Sequence, residues 1–428
     1  MKVCFFTLGC KVNQHETGAM QELFRQRGYT VCEEDGAADV YVVNSCTVTA
    51  VGDKKSLQWL RRAKRANPDA VTVLTGCYPQ AFPQQAAAAP ADIIIGNADR
   101  CSVVDHVERF LQDRVPRADI LPHRAGELFE ELPFSRLSGH TRAFLKIEDG
   151  CDRFCAYCII PTARGRVRSR SEESVLRELR QLADDGYREF VLSGINLSCY
   201  GNDTGTDLAQ LVERAAAIEG VERIRLGSLE PDLVSEDTWR RLAAVPQLCP
   251  QFHLSLQSGC DATLRRMNRH YTAADYAAVL ALLRRLFDRP AVTTDVIVGF
   301  PGETEQEFEE SLHFVTECRF LKVHAFSYSV RPGTRAAEFP DQVPEEIKAL
   351  RSRRLSTAAD AVREQLLAAY CGSTDTVLLE KPCADGRFTG YTTRYVPVFV
   401  DPAQHRQGEI VTVRLGDVRD GRCGTETL

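Results

Sequence analysis

Two series of short, β-branched apolar runs alternate with helical stretches along this chain, and cysteines stand directly after the runs. In the first series the runs cover residues 2–7, 39–44, 71–75 and 92–95. Helical periodicity spans 16–27, ending at Gly28, and 54–66. Unbroken apolar runs of this kind predict parallel strands buried on both faces, so residues 1–115 read as an open α/β domain. Cys10, Cys46 and Cys77 follow the first three runs. Such sheets bind ligands outside the carboxyl ends of their strands, which would bring three distant cysteines to one edge. An isolated cysteine is ordinarily a small buried hydrophobe. Three at equivalent strand ends point instead to a three-thiolate cluster site.

The second series runs from 143 to about 329, with strands expected over 143–147, 189–192, 223–226, 251–256, 292–298 and 322–327. Helices are expected between them, over 172–185, 207–218, 273–286 and 305–318. Six such units predict a partial (β/α)6 barrel whose chemistry sits at the carboxyl ends of its strands. Directly after its first run comes C-x₃-C-x₂-C, at Cys151, Cys155 and Cys158. Three thiolates can hold three corners of a [4Fe–4S] cluster and leave one iron open to a substrate or cofactor. A structural zinc site more usually has four ligands in two pairs. Four further polar or glycine-containing segments fall at the same barrel mouth: Ser193-Gly194-Ile195-Asn196, Ser228-Leu229-Glu230-Pro231, Gln257-Ser258-Gly259 and Gly299-Phe300-Pro301-Gly302-Glu303.

Residues 116–139 carry scattered prolines and charge and read as a linker between the first domain and a core over 140–368. After a charged helix over 345–369, residues 370–428 switch to short β patterns, which suggest a small antiparallel barrel. Seven Lys/Arg stand against eight Asp/Glu between 374 and 428, so RNA binding there would lean on aromatics such as Phe388, Tyr391, Tyr395 and Phe399, which could equally be core. The net charge of −6 predicts no nucleic-acid partner by itself. Basic residues nevertheless cluster at Lys54, Lys55, Arg61, Arg62, Lys64 and Arg65, at Arg164, Arg166, Arg168 and Arg170, and at Arg265, Arg266, Arg269 and His270. The Arg164–Arg170 run is the expected phosphate contact. Sixteen cysteines, with no export signal and no membrane-length run, predict a cytoplasmic protein whose thiols serve metal or catalysis before disulfides.

Thr7-Leu8-Gly9-Cys10-Lys11-Val12-Asn13-Gln14, Asn44-Ser45-Cys46-Thr47-Val48-Thr49 and Thr75-Gly76-Cys77 are similar to the N-terminal cluster motifs of the radical S-adenosylmethionine methylthiotransferases. Gly150-Cys151 through Cys158-Ile159-Ile160-Pro161 resembles that family's radical motif. Leu254-Ser255-Leu256-Gln257-Ser258-Gly259 and Asp295-Val296-Ile297-Val298-Gly299-Phe300-Pro301-Gly302-Glu303-Thr304 resemble its barrel signatures. The resemblance covers almost the whole chain, and the last barrel is similar to the TRAM module that holds substrate. Lys11-Val12-Asn13-Gln14, Arg331-Pro332-Gly333-Thr334 and Gly390-Tyr391-Thr392 resemble the branch acting on N6-threonylcarbamoyladenosine at position 37 of tRNA. The isopentenyladenosine branch typically opens with Gln-Met-Asn, and a third branch modifies a ribosomal aspartate.

The resemblance implies two [4Fe–4S] clusters, on Cys151, Cys155 and Cys158 and on Cys10, Cys46 and Cys77, together with S-adenosylmethionine. Gly194, Asn196, Ser228, Glu230, Gln257 and Asp295 are the expected contacts of that cofactor. The implied target, an adenine C2–H, is beyond general-base chemistry, so a radical cofactor is required. Implied partners are the tRNA anticodon loop, an electron donor of flavodoxin or ferredoxin type and a sulfur donor, with no membrane. Cys4, Cys32, Cys199 and Cys260 match no motif and read as structural. The rival readings are the same chemistry on isopentenyladenosine or a ribosomal aspartate, and a non-catalytic iron–sulfur RNA-binding protein.

Overall fold

The structure, a computed structural model, describes residues 1–32, 37–132, 141–401 and 405–428. Part of the span read as a linker, 133–139, lies outside the described residues. Among the described residues the N-terminal part forms a parallel sheet of β1 (Lys2–Thr7), β2 (Thr30–Cys32), β3 (Val40–Ser45), β4 (Val71–Gly76), β5 (Ile93–Ile95) and β6 (Arg117–Asp119). Their order is β2-β1-β3-β4-β5-β6, so β6, within the span read as a linker, completes the sheet. Val3, Phe5, Val40 and Val42 pack on one side against Met20 and Phe24 of α1 (Lys11–Gln26). Cys4, Tyr41 and Val43 pack on the other against Trp59 and Leu60 of α2 (Ala50–Ala66). Burial on both faces is why these strands carry continuous apolar runs. Helix α1 starts at Lys11, five residues before the apolar period shows it, because its first turns bury the polar Asn13 and His15.

The second part opens with β7 (Ala143–Lys146) and a two-stranded antiparallel ribbon, β8 (Glu148–Asp149) with β9 (Arg168–Ser169). Then come β10 (Glu189–Ser193), β11 (Arg223–Leu226), β12 (Ser228–Leu229), β13 (Gln251–Leu254), β14 (Ala291–Val298) and β15 (Lys322–Ser327). They pair in parallel as β7-β10-β11 and β12-β13-β14-β15, with only Gly227 between β11 and β12. The result is an open, curved wall whose edge strands are β7 and β15. Ala143, Leu145, Phe190, Leu192, Ile224, Phe252 and Val296 pack outward beneath the helices. Period-two alternation therefore turns Phe144, Glu189, Arg225, His253, Asp295, His324 and Phe326 to the inner side. Helices Ala273–Leu286 and Glu305–Cys318 begin at capping boxes on Thr272/Asp275 and Thr304/Glu307.

Helix Glu345–Tyr370 leads to a closed barrel of β16 (Thr374–Pro382), β17 (Phe388–Thr392), β18 (Pro397–Val400), β19 (Ile410–Arg419) and β20 (Arg422–Thr427), ordered β16-β17-β18-β20-β19. The expectation of a purely antiparallel barrel is corrected at one seam, since β18 and β20 run parallel through Val398 and Cys423. Phe388 belongs to its core. Tyr391 and Tyr395 stack on each other with ring centres 4.4 Å apart. Arg142 lies 5.3 Å from both rings, and Arg225 4.9 Å from that of Tyr395. Both tyrosines thus serve the joint with the second part. Phe399 alone of the four aromatics lies between two arginines of its own barrel, Arg387 at 4.4 Å and Arg422 at 5.1 Å.

Candidate active site

Cys151, Cys155 and Cys158 lie in the loop between the strands of the β8/β9 ribbon, at the carboxyl end of β7. Arg269 Nη1 donates to Cys155 Sγ at 3.0 Å while its Nη2 pairs with Glu230. Asn196 Nδ2 donates to Cys199 Sγ at 3.3 Å and lies 4.0 Å from Cys151 Sγ. Burial pushes the Cys151 thiol up to about 11 and Cys158 higher still, and in each case another thiol of the triplet adds to the rise. Occupation of this loop must therefore displace protons. Glu148 Oε2 accepts from the backbone N–H of both Ile195 and Asn196 at 2.7 Å. Burial pushes its carboxyl up to about 8. A Cβ on Gly194 would stand 2.5 Å from that carboxylate. Glu148 thus fills the space beside Gly194 and seats the Gly194–Asn196 loop.

The second set of thiols follows the sheet. Cys10 comes after β1, Cys46 directly after β3 and Cys77 directly after β4. Because β2 lies on one side of β1 and β3 on the other, Cys10 and Cys46 flank the point where the strand order reverses, the crevice where open α/β sheets bind ligands. Val48 N–H donates to Cys46 Sγ at 3.5 Å, and Asn97 Nδ2 to Cys77 Sγ at 3.5 Å. Burial pushes Cys46 up to about 12, with Cys77 and Cys10 among the neighbours that raise it. Among the described residues the thiols of neither triplet converge as tightly as on a single metal ion.

A buried ionic network joins the two sets. Arg164, fully buried, donates to Glu16 at 2.8 and 3.0 Å, to Asp149 at 3.0 Å and to Asn13 at 2.7 Å. Lys146 reaches Glu16 at 2.8 Å and Asp149 at 2.5 Å, and Arg100 pairs with Glu16 at 3.0 Å. Burial alone would raise the Glu16 carboxyl; Arg100, Arg164 and Lys146 outweigh it and hold the group ionised. This corrects the reading of Arg164–Arg170 as a phosphate contact. Arg168 is buried beside Asp149, and Arg170 beside Glu178 and Glu131. Only Arg166 is exposed, paired with Asp152 at 3.1 Å. The run showed charge, but its partners lie at distant positions such as Glu16. The third basic cluster divides in the same way, with Arg269 buried and Arg265 and His270 exposed. On α2, Lys54, Lys55, Arg61 and Arg65 remain exposed.

Between the two sets of thiols lies a cavity of about 200 Å³. Val48 and Thr49 from the loop after Cys46 line it, as do Tyr157, Cys158, Ile159 and Ile160 from the first triplet's loop. The barrel contributes Gln257, Asp295, Ile297, Phe326 and Tyr328. Two expected cofactor contacts, Gln257 and Asp295, thus border the cavity. Asn196 and Glu230 stand at the cysteine loop, and Ser228 opens β12 beside them. Glu148 and Lys146 escaped the sequence reading, since a charge inside a strand run carries no motif of its own.

The Radical SAM superfamily profile matches residues 145–315, and that of Uncharacterized protein family UPF0004 matches residues 2–96. Among curated proteins the chain is 40% identical over 420 residues to the Threonylcarbamoyladenosine tRNA methylthiotransferase MtaB of Bacillus subtilis, covering 96% of this chain and 93% of that one. It is 35% identical over 394 residues to a tRNA-2-methylthio-N(6)-dimethylallyladenosine synthase of Pelotomaculum thermopropionicum, covering 89% of this chain and 86% of the other. Its fold is similar to that of TsrM, a radical S-adenosylmethionine methyltransferase from Kitasatospora setae, with a TM-score of 0.57, 14% identity and coverage of 78% of this chain and 73% of that one. With two cysteine-bearing parts flanking one cavity, and with identity to such relatives running nearly end to end, the chain belongs to the radical S-adenosylmethionine methylthiotransferases.

Proposed function

We propose that this protein adds a methylthio group to C2 of N6-threonylcarbamoyladenosine at position 37 of tRNA, beside the anticodon. The observation that carries this reading is the cavity lined by the loops of both cysteine sets. It stands in a chain 40% identical to a threonylcarbamoyladenosine tRNA methylthiotransferase. Membership in the superfamily implies a [4Fe–4S] cluster and S-adenosylmethionine.

The first triplet fits such a cluster. It offers three thiols from one loop, with the guanidinium of Arg269 and the amide of Asn196 directed at sulfur, the outer contacts that orient and tune cluster ligands. Cys151, Cys155 and Cys158 would hold it, with Asn196, Ser228, Glu230, Gln257 and Asp295 toward S-adenosylmethionine and Gly194 acting through Glu148. Cys10, Cys46 and Cys77 would hold a second [4Fe–4S] cluster carrying the sulfur. When bound, these groups supply radical chemistry able to break an unactivated C–H bond, which no side chain provides.

The chain's own part is to seat the base and exclude water. Tyr157, Ile297 and Phe326 form apolar walls, while Thr49 offers a hydrogen bond to an adenine edge and Gln257 and Asp295 border the same cavity from the cofactor side. The adenosine must leave the anticodon stack to enter. A flavodoxin- or ferredoxin-type reductant and a separate sulfur donor complete the scheme.

Mass spectrometry of tRNA nucleosides, with and without this gene, tests the reading. The expected result is loss of 2-methylthio-N6-threonylcarbamoyladenosine, restored by the intact gene but not by Cys151→Ala or Cys46→Ala. An unchanged level of that nucleoside would sink the threonylcarbamoyl assignment, and product formation by Cys46→Ala would sink the second cluster.

A further inference from the structure

The printed substrates of the two kinds of relative differ at N6. A threonylcarbamoyl group ends in a carboxylate, whereas a dimethylallyl group is an uncharged hydrocarbon. Discrimination between them calls for a cation at the barrel opening that is not already committed to a carboxylate. Most cations there are committed. Arg142, Arg223 and Arg225 share Glu189, and Arg142 also pairs with Glu380. Arg269 is held by Glu230, Arg331 by Asp53, and Arg164 and Lys146 by Glu16 and Asp149. His253 bonds to Thr293 at 3.0 Å and approaches Asp295 at 3.4 Å. Loss of hydration holds the His324 imidazole below its usual range, which leaves it neutral near pH 7.

Lys11 is the exception. It is exposed, and among the described residues no carboxylate lies within ion-pair distance of it. Its Nζ stands 6.0 Å from the centre of the Phe144 ring, on the inner side of β7. Its electrostatic neighbours Arg142, Arg225 and Glu189 are inner-side groups of the same wall, and His324 on the opposite edge strand senses its charge. Lys11 therefore stands over the open side between β7 and β15. From there His324 and Phe326 share one face of β15 and lead into the cavity. An exposed ammonium facing two arginines, with Glu189 already shared between them, is an unfavourable arrangement that an incoming anion relieves.

We propose that Lys11 binds the carboxylate of the substrate's threonyl group and so selects it over neutral N6 substituents. This inference rests on the functional reading above. The test uses reconstituted holoenzyme and three anticodon stem–loop RNAs, carrying N6-threonylcarbamoyladenosine, its methyl ester, or isopentenyladenosine. Dissociation constants are read by fluorescence anisotropy. The native protein is expected to bind the acid at least about tenfold more tightly than the ester, the worth of one charge-assisted contact. Lys11→Met should bind acid and ester alike, and Lys11→Arg should restore the preference. Equal iron content in all three proteins shows that the Met variant is folded and loaded. An undiminished preference for acid over ester in Lys11→Met overturns the assignment and leaves the functional reading standing. Native protein that binds and methylthiolates only the isopentenyl loop overturns that reading, and the role of Lys11 with it.

Discussion

At Gly9 the backbone turns into Cys10 with φ at +109°, and a Cβ there would meet the Cys46 Cβ at 2.8 Å. Both the conformation and the contact exclude a side chain. Gly9→Ala is therefore expected to introduce about 1–3 kcal/mol of local strain and to push the Cys46 loop away from Cys10. If Cys10, Cys46 and Cys77 hold the second cluster as proposed, the variant should carry roughly half the native iron and sulfide after anaerobic reconstitution, because thiolate sites bind only when their geometry survives. A full native complement would show that the loops close around the methyl group. At this scale the sequence was uneven. The places of the six cysteines, after strand ends and in the loop after β7, were legible because strand runs and spacing are read directly from the pattern. The fate of Arg164 was not, since Glu16 is 148 positions away and charge alone does not name its partner. That Glu148 fills the space beside Gly194 was equally hidden, since 46 positions separate them and neither residue's type names the other.

Among the elements, the loop after β3 is tied to the segment after β15. Arg331 donates to Asp53 on α2 at 2.5 Å and to Thr47 at 2.7 Å, and lies 4.8 Å from the Phe82 ring. Ala50 N–H also reaches Ser329 Oγ at 3.3 Å. Burial pushes the Asp53 carboxyl up, and Arg331 is the main opposing influence. Arg331→Met leaves this carboxylate without its cation and should cost about 3 kcal/mol. A second substitution, Asp53→Leu, should recover most of the loss. Denaturant unfolding of the two variants checks both figures, and an undamaged single variant would show that the pair only decorates the joint. Helices Ala273–Leu286 and Glu305–Cys318 were readable to the residue because each begins with a capping box and carries its own period. The strands β2, β6 and β20 and the helix Asp261–Arg266 were not. Each has at most six residues and is held by its neighbours more than by its own pattern.

On the scale of the whole molecule, buried ionic joints set how the three parts meet. Glu16 links the first sheet to the second part, and Glu189 lies where the last barrel docks. Such joints add little net stability over apolar packing, but breaking one is costly, and they fix a single docked geometry. Glu189 is fully buried and accepts from Arg225 at 2.8 Å and Arg223 at 3.0 Å, with Arg142 at 3.4 Å. The same arginines donate to Thr376 Oγ1 and to the carbonyls of Thr392 and Thr393 on the last barrel. Burial would raise the Glu189 carboxyl, but Arg225 and Arg142 prevail and bring it down to about 2 from an ordinary 4.5. A depressed carboxylate contributes stability that is complete above its unfolded value and lost as pH falls toward its folded one. The joint should therefore hold at neutral pH and give up about 3 kcal/mol between pH 4.5 and 2. Glu189→Gln removes that titration and leaves three arginines facing a neutral amide. Hydrogen exchange at β16–β18 should then be faster than native at pH 7, and the gap should close as pH falls through the window. A gap that stays constant with pH would mean that the arginines dock the barrel through its carbonyls alone, with Glu189 a bystander.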